Sequence, residues 1–360
     1  MKKESPASTE QQQFYLDGFS RLIAGLKEDG DDAQMFEYLQ RGLLENPDIV
    51  LPIIEGSIET AMEVLGQERR SGSSATLYYP IEAAVKYLAK QTGFFTNGRD
   101  PLTSASWSFA EVMTFLQKNA QKVIEIAGSK TTAKNLPQRA VQMMWLLDQV
   151  QQIAPGAPLT FIELGASNGL ILDALKQPNA FKQWYKKQPS EKSSNQVPFG
   201  VNLSRVSYEG LGLDIAAPDM DWNLANILDA EIRREVQDFI ATFPDRSNIV
   251  TANAQSIQTI PEVVQLVSTV PSTPIVLSCF MLYQVSQPTR DVLQQSVREF
   301  LRSQGGGFFL KTDIAKYMGS PTAVGGALSW VEDELGNIVS PRIVLRGKTI
   351  SLWEVLPEDI

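Results

Sequence analysis

The chain has 360 residues and a net charge of −9, with 32 Lys and Arg against 41 Asp and Glu, one cysteine and no histidine. The acidic balance offers no broad basic face to nucleic acid, and a lone cysteine excludes an intrachain disulfide and any cysteine-based zinc site. Without histidine there is no Ser-His-Asp or Cys-His nucleophile activation, no imidazole acid–base catalysis and no histidine metal site, so chemistry falls to carboxylates, lysine, tyrosine, backbone and positioning.

At this length about two domains are expected. Residues 1–13 are polar, lack a signal-peptide core and read as a disordered start. From 14 to 153 apolar residues recur at helical spacing. One stripe is Phe14, Phe19, Leu22, Ile23 and Leu26; another is Met35, Phe36, Leu39, Leu43 and Leu44. Asn46-Pro47-Asp48 predicts a helix start carrying Val50, Ile53, Ile54, Ile58, Met62 and Leu65. Further stripes run over Ile81–Leu88, Trp107–Ala127 and Ala140–Ile153, with polar connectors at 67–74 and 93–101. No strand alternation is visible, which predicts an all-α N-terminal domain over 1–155.

Ala154-Pro-Gly-Ala-Pro158 marks a hinge, and from 156 to 360 strand and helix signals alternate. Strands are predicted at Leu159–Leu164, Gly210–Asp214, Asn248–Ala252, Pro274–Cys279 and Phe308–Thr312. Helices are predicted at about 169–176, over Ala225–Phe243 and Ile260–Val267, and from Ser286 to a stop at Gly305-Gly-Gly307. Gln177–Pro198 is polar and locally basic, with Lys182, Lys186, Lys187 and Lys192, and reads as a solvated insertion. Arg342–Leu345 and Thr349–Leu356 predict a terminal antiparallel hairpin. Alternating units of this kind imply a mostly parallel α/β sheet. The longest apolar stretch, Ile275–Val285, is too short to span a bilayer, and a cytoplasmic protein is expected.

The most informative segment is Thr160-Phe-Ile-Glu-Leu-Gly-Ala-Ser-Asn-Gly-Leu170: a buried strand end, a small-residue turn and an apolar helix. Small residues there let backbone approach a ligand closely, and strand–turn–helix is the nucleotide-binding corner of doubly wound folds. Glu163 at the strand end would repel a pyrophosphate. It suits S-adenosylmethionine, which has no phosphate and carries an ammonium and a sulfonium. The spacing agrees: Gly165 and Gly169 flank Ser167 in an acid-x-G-x-G-x-G pattern with serine at the middle glycine, whereas a dinucleotide fingerprint needs G-x-G-x-x-G. The plainer reading is an ordinary strand-to-helix turn in which Ser167 or Asn168 caps the helix.

On these residues the second half resembles a class I S-adenosylmethionine-dependent methyltransferase. The resemblance implies a Rossmann-like sheet of seven strands closed by a reversed antiparallel hairpin, here preceded by the all-α domain. The whole chain is similar to a bacterial family of unknown function that joins a helical region to such a domain. The matching residues are Glu163-Leu-Gly-Ala-Ser-Asn-Gly-Leu170, Gly212-Leu-Asp214 and, in part, Thr132, Asn135 and Arg139. The resemblance implies a cofactor site of Glu163, Gly165, Ala166, Ser167, Gly169, Asp214, Asn253, Ala254 and Cys279. Glu163 would orient the amino group through water or backbone, and the turn would pass beneath the methionine portion. Asp214 would accept the ribose hydroxyls, Asn253 would face adenine, and Ser278, Cys279 and Phe280 would flank adenine or the transferred methyl. Three positions depart from the family: Ser278 for histidine, Leu136 for an acid and Asn253 for aspartate.

Three readings of function follow. One is a methyltransferase for a small or peptide-like acceptor held between the two halves, with Tyr283, Lys311 and Asp313 as candidates to orient it; no catalytic residue and no metal is assigned. The second is a non-catalytic scaffold or binding module that keeps the fold, with or without the cofactor. The third is a dinucleotide oxidoreductase.

Overall fold

In the computed structural model the described residues are 6–28, 32–65, 74–95, 98–130, 135–156, 158–188, 208–269, 272–279, 281–282, 285–314, 327–346 and 352–355. The chain divides into two compact units. One comprises Met1–Lys134 with Met220–Arg234; the other comprises Asn135–Asp219 with Glu235–Ile360.

The first unit is helical among its described residues. Helices α1 (Pro6–Glu28), α2 (Gln34–Glu45), α3 (Pro47–Leu65), α4 (Ser74–Thr92) and α5 (Phe109–Ser129) bury the stripes seen in the sequence, including Phe19, Phe36, Leu39, Ile53, Ile54, Ile81, Phe115 and Leu116. Phe14 and Leu44, assigned to the same stripes, are exposed. Helix α1 starts at Pro6, so most of the expected disordered start is helical; proline fits the first turn of a helix, where its missing N–H has no partner to lose. Helices α3 and α5 approach closely because Gly56 and Gly128 lack side chains: a Cβ on Gly128 would lie 2.3 Å from Thr60 Cβ.

Helix α5 opens on a capping box. The Ser108 hydroxyl accepts the Glu111 N–H at 3.3 Å, and Glu111 Oε2 accepts the Ser108 N–H at 2.8 Å. Hydrogen bonds from Arg99 and then Ser108 hold the Glu111 carboxyl down to about 2. Ser108→Ala is expected to cost about 1 kcal/mol, read as a lower urea midpoint with unchanged slope.

The second unit carries the sheet. Its elements are α6 (Ala140–Ile153), β1 (Leu159–Leu164), α7 (Leu170–Lys176), α8 (Pro178–Tyr185) and β2 (Tyr208–Asp214). After α9 (Met220–Ala225), which belongs to the first unit, come α10 (Ala230–Thr242), β3 (Asn248–Thr251), α11 (Pro261–Thr269), β4 (Thr273–Cys279), α12 (Gln287–Ser303) and β5 (Phe308–Ile314). The chain closes with β6 (Ala327–Asp333), β7 (Ile343–Arg346) and β8 (Leu352–Val355). The strand order is β3-β2-β1-β4-β5-β6-β7-β8; the first five are parallel and the last three run antiparallel to their neighbours. This is an α/β, Rossmann-like sheet with a terminal antiparallel hairpin, in a chain whose described N-terminal residues are helical.

Several boundaries differ from the sequence reading. Among the described residues the sheet has eight strands, not seven, because Ala327–Asp333 pairs along its whole length with β5. Helix α6 belongs to the sheet unit, where it touches α7, β5 and β6. The expected helix over 225–243 is α10, which starts later, at Ala230; α9 ends at Ala225, where the expected helix was to begin. Within the expected solvated insertion, α8 is amphipathic and buries Phe181, Trp184 and Tyr185; residues 189–200, with Lys192, lie outside the described residues.

The two faces of the sheet follow from register. Ile162, Leu164, Leu211, Leu213, Val276 and Phe309 share one face and pack with Val263 of α11 and Leu293, Val297, Phe300 and Leu301 of α12. Alternation puts Phe161, Glu163, Gly210, Gly212, Asp214, Leu277 and Cys279 on the other. There α7 lies so close that a Cβ on Gly210 would meet Leu172 at 3.3 Å. Among the described residues no helix is long and apolar enough to cross a membrane.

Candidate functional site

Strands β2 and β3 extend the sheet on one side of β1, and β4 and β5 on the other, so β1 and β4 meet at the topological switch point, where doubly wound sheets bind ligands. The turn after β1 is built by backbone strain and by its neighbour β2. Gly165 and Gly169 have φ of 67° and 70°, and Ser167 sits at φ 50°, a left-handed conformation that a residue with a side chain rarely adopts. The N–H groups of Gly165 and Ala166 both donate to the Leu213 carbonyl, at 2.9 and 3.1 Å, and Ser167 N–H donates to Asp214 Oδ2 at 2.7 Å. Three successive amides are thereby committed to β2. The turn is a clamp, not an open nest of donors of the kind that cradles phosphate.

Neither serine nor asparagine caps α7. Its N-cap is Gly169, with no side-chain cap. Asn168 donates to Ser167 Oγ at 3.2 Å and to the Asp219 carbonyl at 3.4 Å. Asp173 in the first turn of α7 is buried; it takes Arg246 Nε at 2.6 Å and Ser247 N–H at 2.7 Å, which fastens α7 to the segment before β3.

The glycines answer to packing. A Cβ on Gly165 would lie 2.5 Å from Met281 Cγ, and one on Gly169 would lie 2.9 Å from Ile249 Cδ1. A valine at 165 would collide with Met281 before it met any ligand, so that substitution does not separate ligand exclusion from misfolding. Gly212 sits where a Cβ would be 2.5 Å from Ala166 Cβ, which lets β2 carry Asp214 up against the turn.

Glu163 is the anomaly of the site. It is 1% exposed on β1, in register with Gly212 and Leu277. The backbone N–H of Leu172, in the first turn of α7, hydrogen-bonds its carboxylate, yet Oε2 has no partner. Burial, then Asp173, then Asp214 push this carboxyl well above the usual carboxylate range. Asp214 is half-buried; besides Ser167, it takes the Ala216 N–H on Oδ1 at 3.1 Å. Each of its oxygens keeps acceptor capacity after one bond.

The remaining expected residues lie along the same carboxyl edge. Ala252 N–H donates to the Asp214 carbonyl at 2.8 Å, tying the end of β3 to β2. Beyond it Asn253 is exposed and uses its side-chain oxygen on Gln255 N–H at 2.9 Å, and Ala254 packs against the α11/α12 core. Cys279 is buried; burial pushes its thiol up, opposed by Arg139 and supported by Glu163 and Asp313. Ser278 is fully buried with no partner for Oγ, and its register with Leu164 and Lys311 sets it on the face opposite Glu163. Phe280 and Tyr283 lie outside the described residues, as does Thr132.

Lys311 does not present itself to an acceptor. It is 1% exposed and donates to Glu332 Oε1 and to Gln294 Oε1 of α12, each at 2.5 Å. Asp313 is also fully buried. The segment before α6, whose Asn135 and Arg139 the sequence reading matched to the family without placing them at the site, also reaches it. Asn135 donates to the Ala166 carbonyl at 2.8 Å, and the 3-10 turn Pro137–Arg139 packs on α7 and brings the Arg139 charge to bear on Cys279. A polar stretch between helices carries no periodic signal that would place it there.

Comparison with family models finds no match, and comparison with curated proteins finds none either. Among solved structures, the citrinin polyketide synthase CMeT domain is similar, with 13% sequence identity over 85% of this chain and 82% of that one and a TM-score of 0.23.

Proposed function

We propose that the chain binds S-adenosylmethionine at the carboxyl edge of β1, β2 and β4 and transfers its methyl group to a small or peptide-like acceptor, in a cytoplasmic setting. The observation that carries this reading is the buried Glu163 carboxyl, which has an oxygen without a partner and no cation bonded to it among the described residues. A ligand ammonium supplies the missing partner. The committed amides of Gly165, Ala166 and Ser167 argue against a pyrophosphate, and so against the dinucleotide reading.

The residues fit such a ligand in distinct ways. Glu163 holds the amino group. Asp214, kept in place by Ser167 and Ala216 N–H, has lone pairs left for a ribose diol. Ala166, Gly169 and the clamped turn set the distance between Glu163 and Asp214, while Asn253, Ala254 and Cys279 border the base. The cofactor supplies a methyl group already activated on a sulfonium, so positioning suffices where histidine is lacking. The likeness to the bacterial family with a helical N-terminal region belongs to the same proposal.

One observation favours the second reading, a scaffold that keeps the fold without the cofactor: Met281 fills the space over Gly165. Calorimetric titration with S-adenosylhomocysteine, with NADH as control, separates cofactor binding from the cofactor-free scaffold. Micromolar binding of the first alone, about −8 kcal/mol, is expected. Silence with both ligands would leave the scaffold, and binding of NADH alone would restore the dinucleotide.

A further inference from the structure

We propose that Glu163 carries a proton in the ligand-free protein and gives it up when the cofactor's ammonium binds, so that cofactor loading expels a proton and tightens as pH rises. This rests on the cofactor reading above and adds a charge switch to it.

The surroundings of Glu163 leave an ionised carboxylate without compensation. Its register neighbours on β2 and β4, Gly212 and Leu277, offer no side-chain polar group. From α7 it faces Asp173, and from the end of β2 it faces Asp214, both acidic. From β4 comes Cys279, whose thiol burial keeps protonated. Arg139 on the 3-10 turn before α6 and Asp313 on β5 act on Cys279 in opposite directions. The nearby cation Arg246 is bonded to Asp173 and to the Asn168 carbonyl. One backbone N–H, that of Leu172, is the donor Glu163 receives. A carboxylate at 1% exposure with one neutral donor and two acids for company is more cheaply held as the acid.

A ligand ammonium reverses that balance. The Oε2–H bond breaks and the proton leaves to solvent. The carboxylate then accepts from the ammonium, which keeps its own protons. By linkage, affinity rises up to tenfold per pH unit between the ligand-bound and ligand-free titration points. The unliganded protein shows the complementary sign. Because the folded value lies above the unfolded one of about 4.3, this group's contribution to stability is present at low pH and is lost as pH rises through the folded value.

The test is S-adenosylhomocysteine calorimetry on the full chain in phosphate and in Tris at matched pH, which counts protons released, for the parent and for Glu163→Gln. The parent is expected to release up to one proton more than the variant and to gain affinity with pH, while the variant binds more weakly and keeps only the ligand's own pH dependence. Equal proton counts would overturn the switch and leave the cofactor reading standing; no heat with the parent at any pH would overturn both. Should Glu163→Gln fail to fold, infrared difference spectra of the parent take its place. Loss of a protonated-carboxyl band on adding S-adenosylhomocysteine is expected, and an unchanged band would overturn the proposal.

Discussion

Replacing Glu332 by alanine is expected to destabilise the protein by about 3–5 kcal/mol, the cost of stranding a buried charge. Glu332 on β6 accepts from Lys311 Nζ at 2.5 Å, Trp330 Nε1 at 3.0 Å and Arg298 Nη2 at 3.0 Å. Lys311 lies beneath it on β5, its ammonium 4.8 Å from the centroid of the Phe309 ring and 5.6 Å from that of Trp330. Burial lowers the Lys311 ammonium while Glu332 holds it charged. Burial likewise opposes ionisation of Glu332, but Lys311, Trp330 and Arg298 together bring its carboxyl below the usual range. Glu332 therefore adds stability above the unfolded value of about 4.3, and this is lost as pH falls through its lower folded value. Urea unfolding reads the effect. The double variant Lys311→Met, Glu332→Leu is expected to lie closer to the parent, since two apolar side chains of similar volume remove both members of the buried pair and leave only the part-exposed Arg298 and the Trp330 N–H to find other partners. If the single and double variants lose equally, packing and not charge holds β5 to β6.

Asp214→Ala is expected to act twice. It removes the acceptor of Ser167 N–H, at 2.7 Å, and that of Ala216 N–H, at 3.1 Å. Ser167, already in a left-handed conformation, would lose the bond that holds it there. A stability loss of about 2 kcal/mol follows from hydrogen bonds to a charged acceptor, together with an S-adenosylhomocysteine affinity lower by about 100-fold, or ~2.7 kcal/mol. Asp214→Asn keeps one acceptor oxygen and should fall between. Calorimetry and urea titration on the same preparations separate the two effects. Stability lost with affinity intact would make Asp214 a staple of the turn and remove it from the site.

Reading the sequence located most strands because buried parallel strands are continuous apolar runs; Leu159–Leu164 is buried at every position. β6 escaped because Ser329, Glu332 and Asp333 interrupt its apolar residues. Their partners, the Thr312 hydroxyl for Ser329 and the Lys311 ammonium for Glu332, come from β5, 17 and 21 residues away. Helix α6 has the same period as the helices before it, and period alone does not say which core a helix joins. At the site, the turn and Asp214 were legible, but not what they do to each other. The bond between Ser167 and Asp214 spans 47 residues, and the methionine over Gly165 arrives from beyond β4. Lys311 looked available because a lysine at a strand end usually is; its burial depends on β6 and α12.

The chain passes between its two units at 134/135, at 219/220 and again at 234/235. On the ribosome, the helical unit cannot complete itself from its own leading segment. Met220–Arg234 emerges only after β1 and β2 have been synthesised, and the remaining strands follow later. Early in synthesis the nascent chain holds five helices without their last piece and two strands without most of their sheet. The C-terminal fragment cut at Pro155–Pro158, where the sequence suggested a hinge, inherits the same defect: it lacks α6 and keeps Met220–Arg234, which belongs to the absent half. The shortest stretches that hold a unit whole, 1–234 for the helical one and 135–360 for the sheet, overlap by 100 residues, so no single cut yields both.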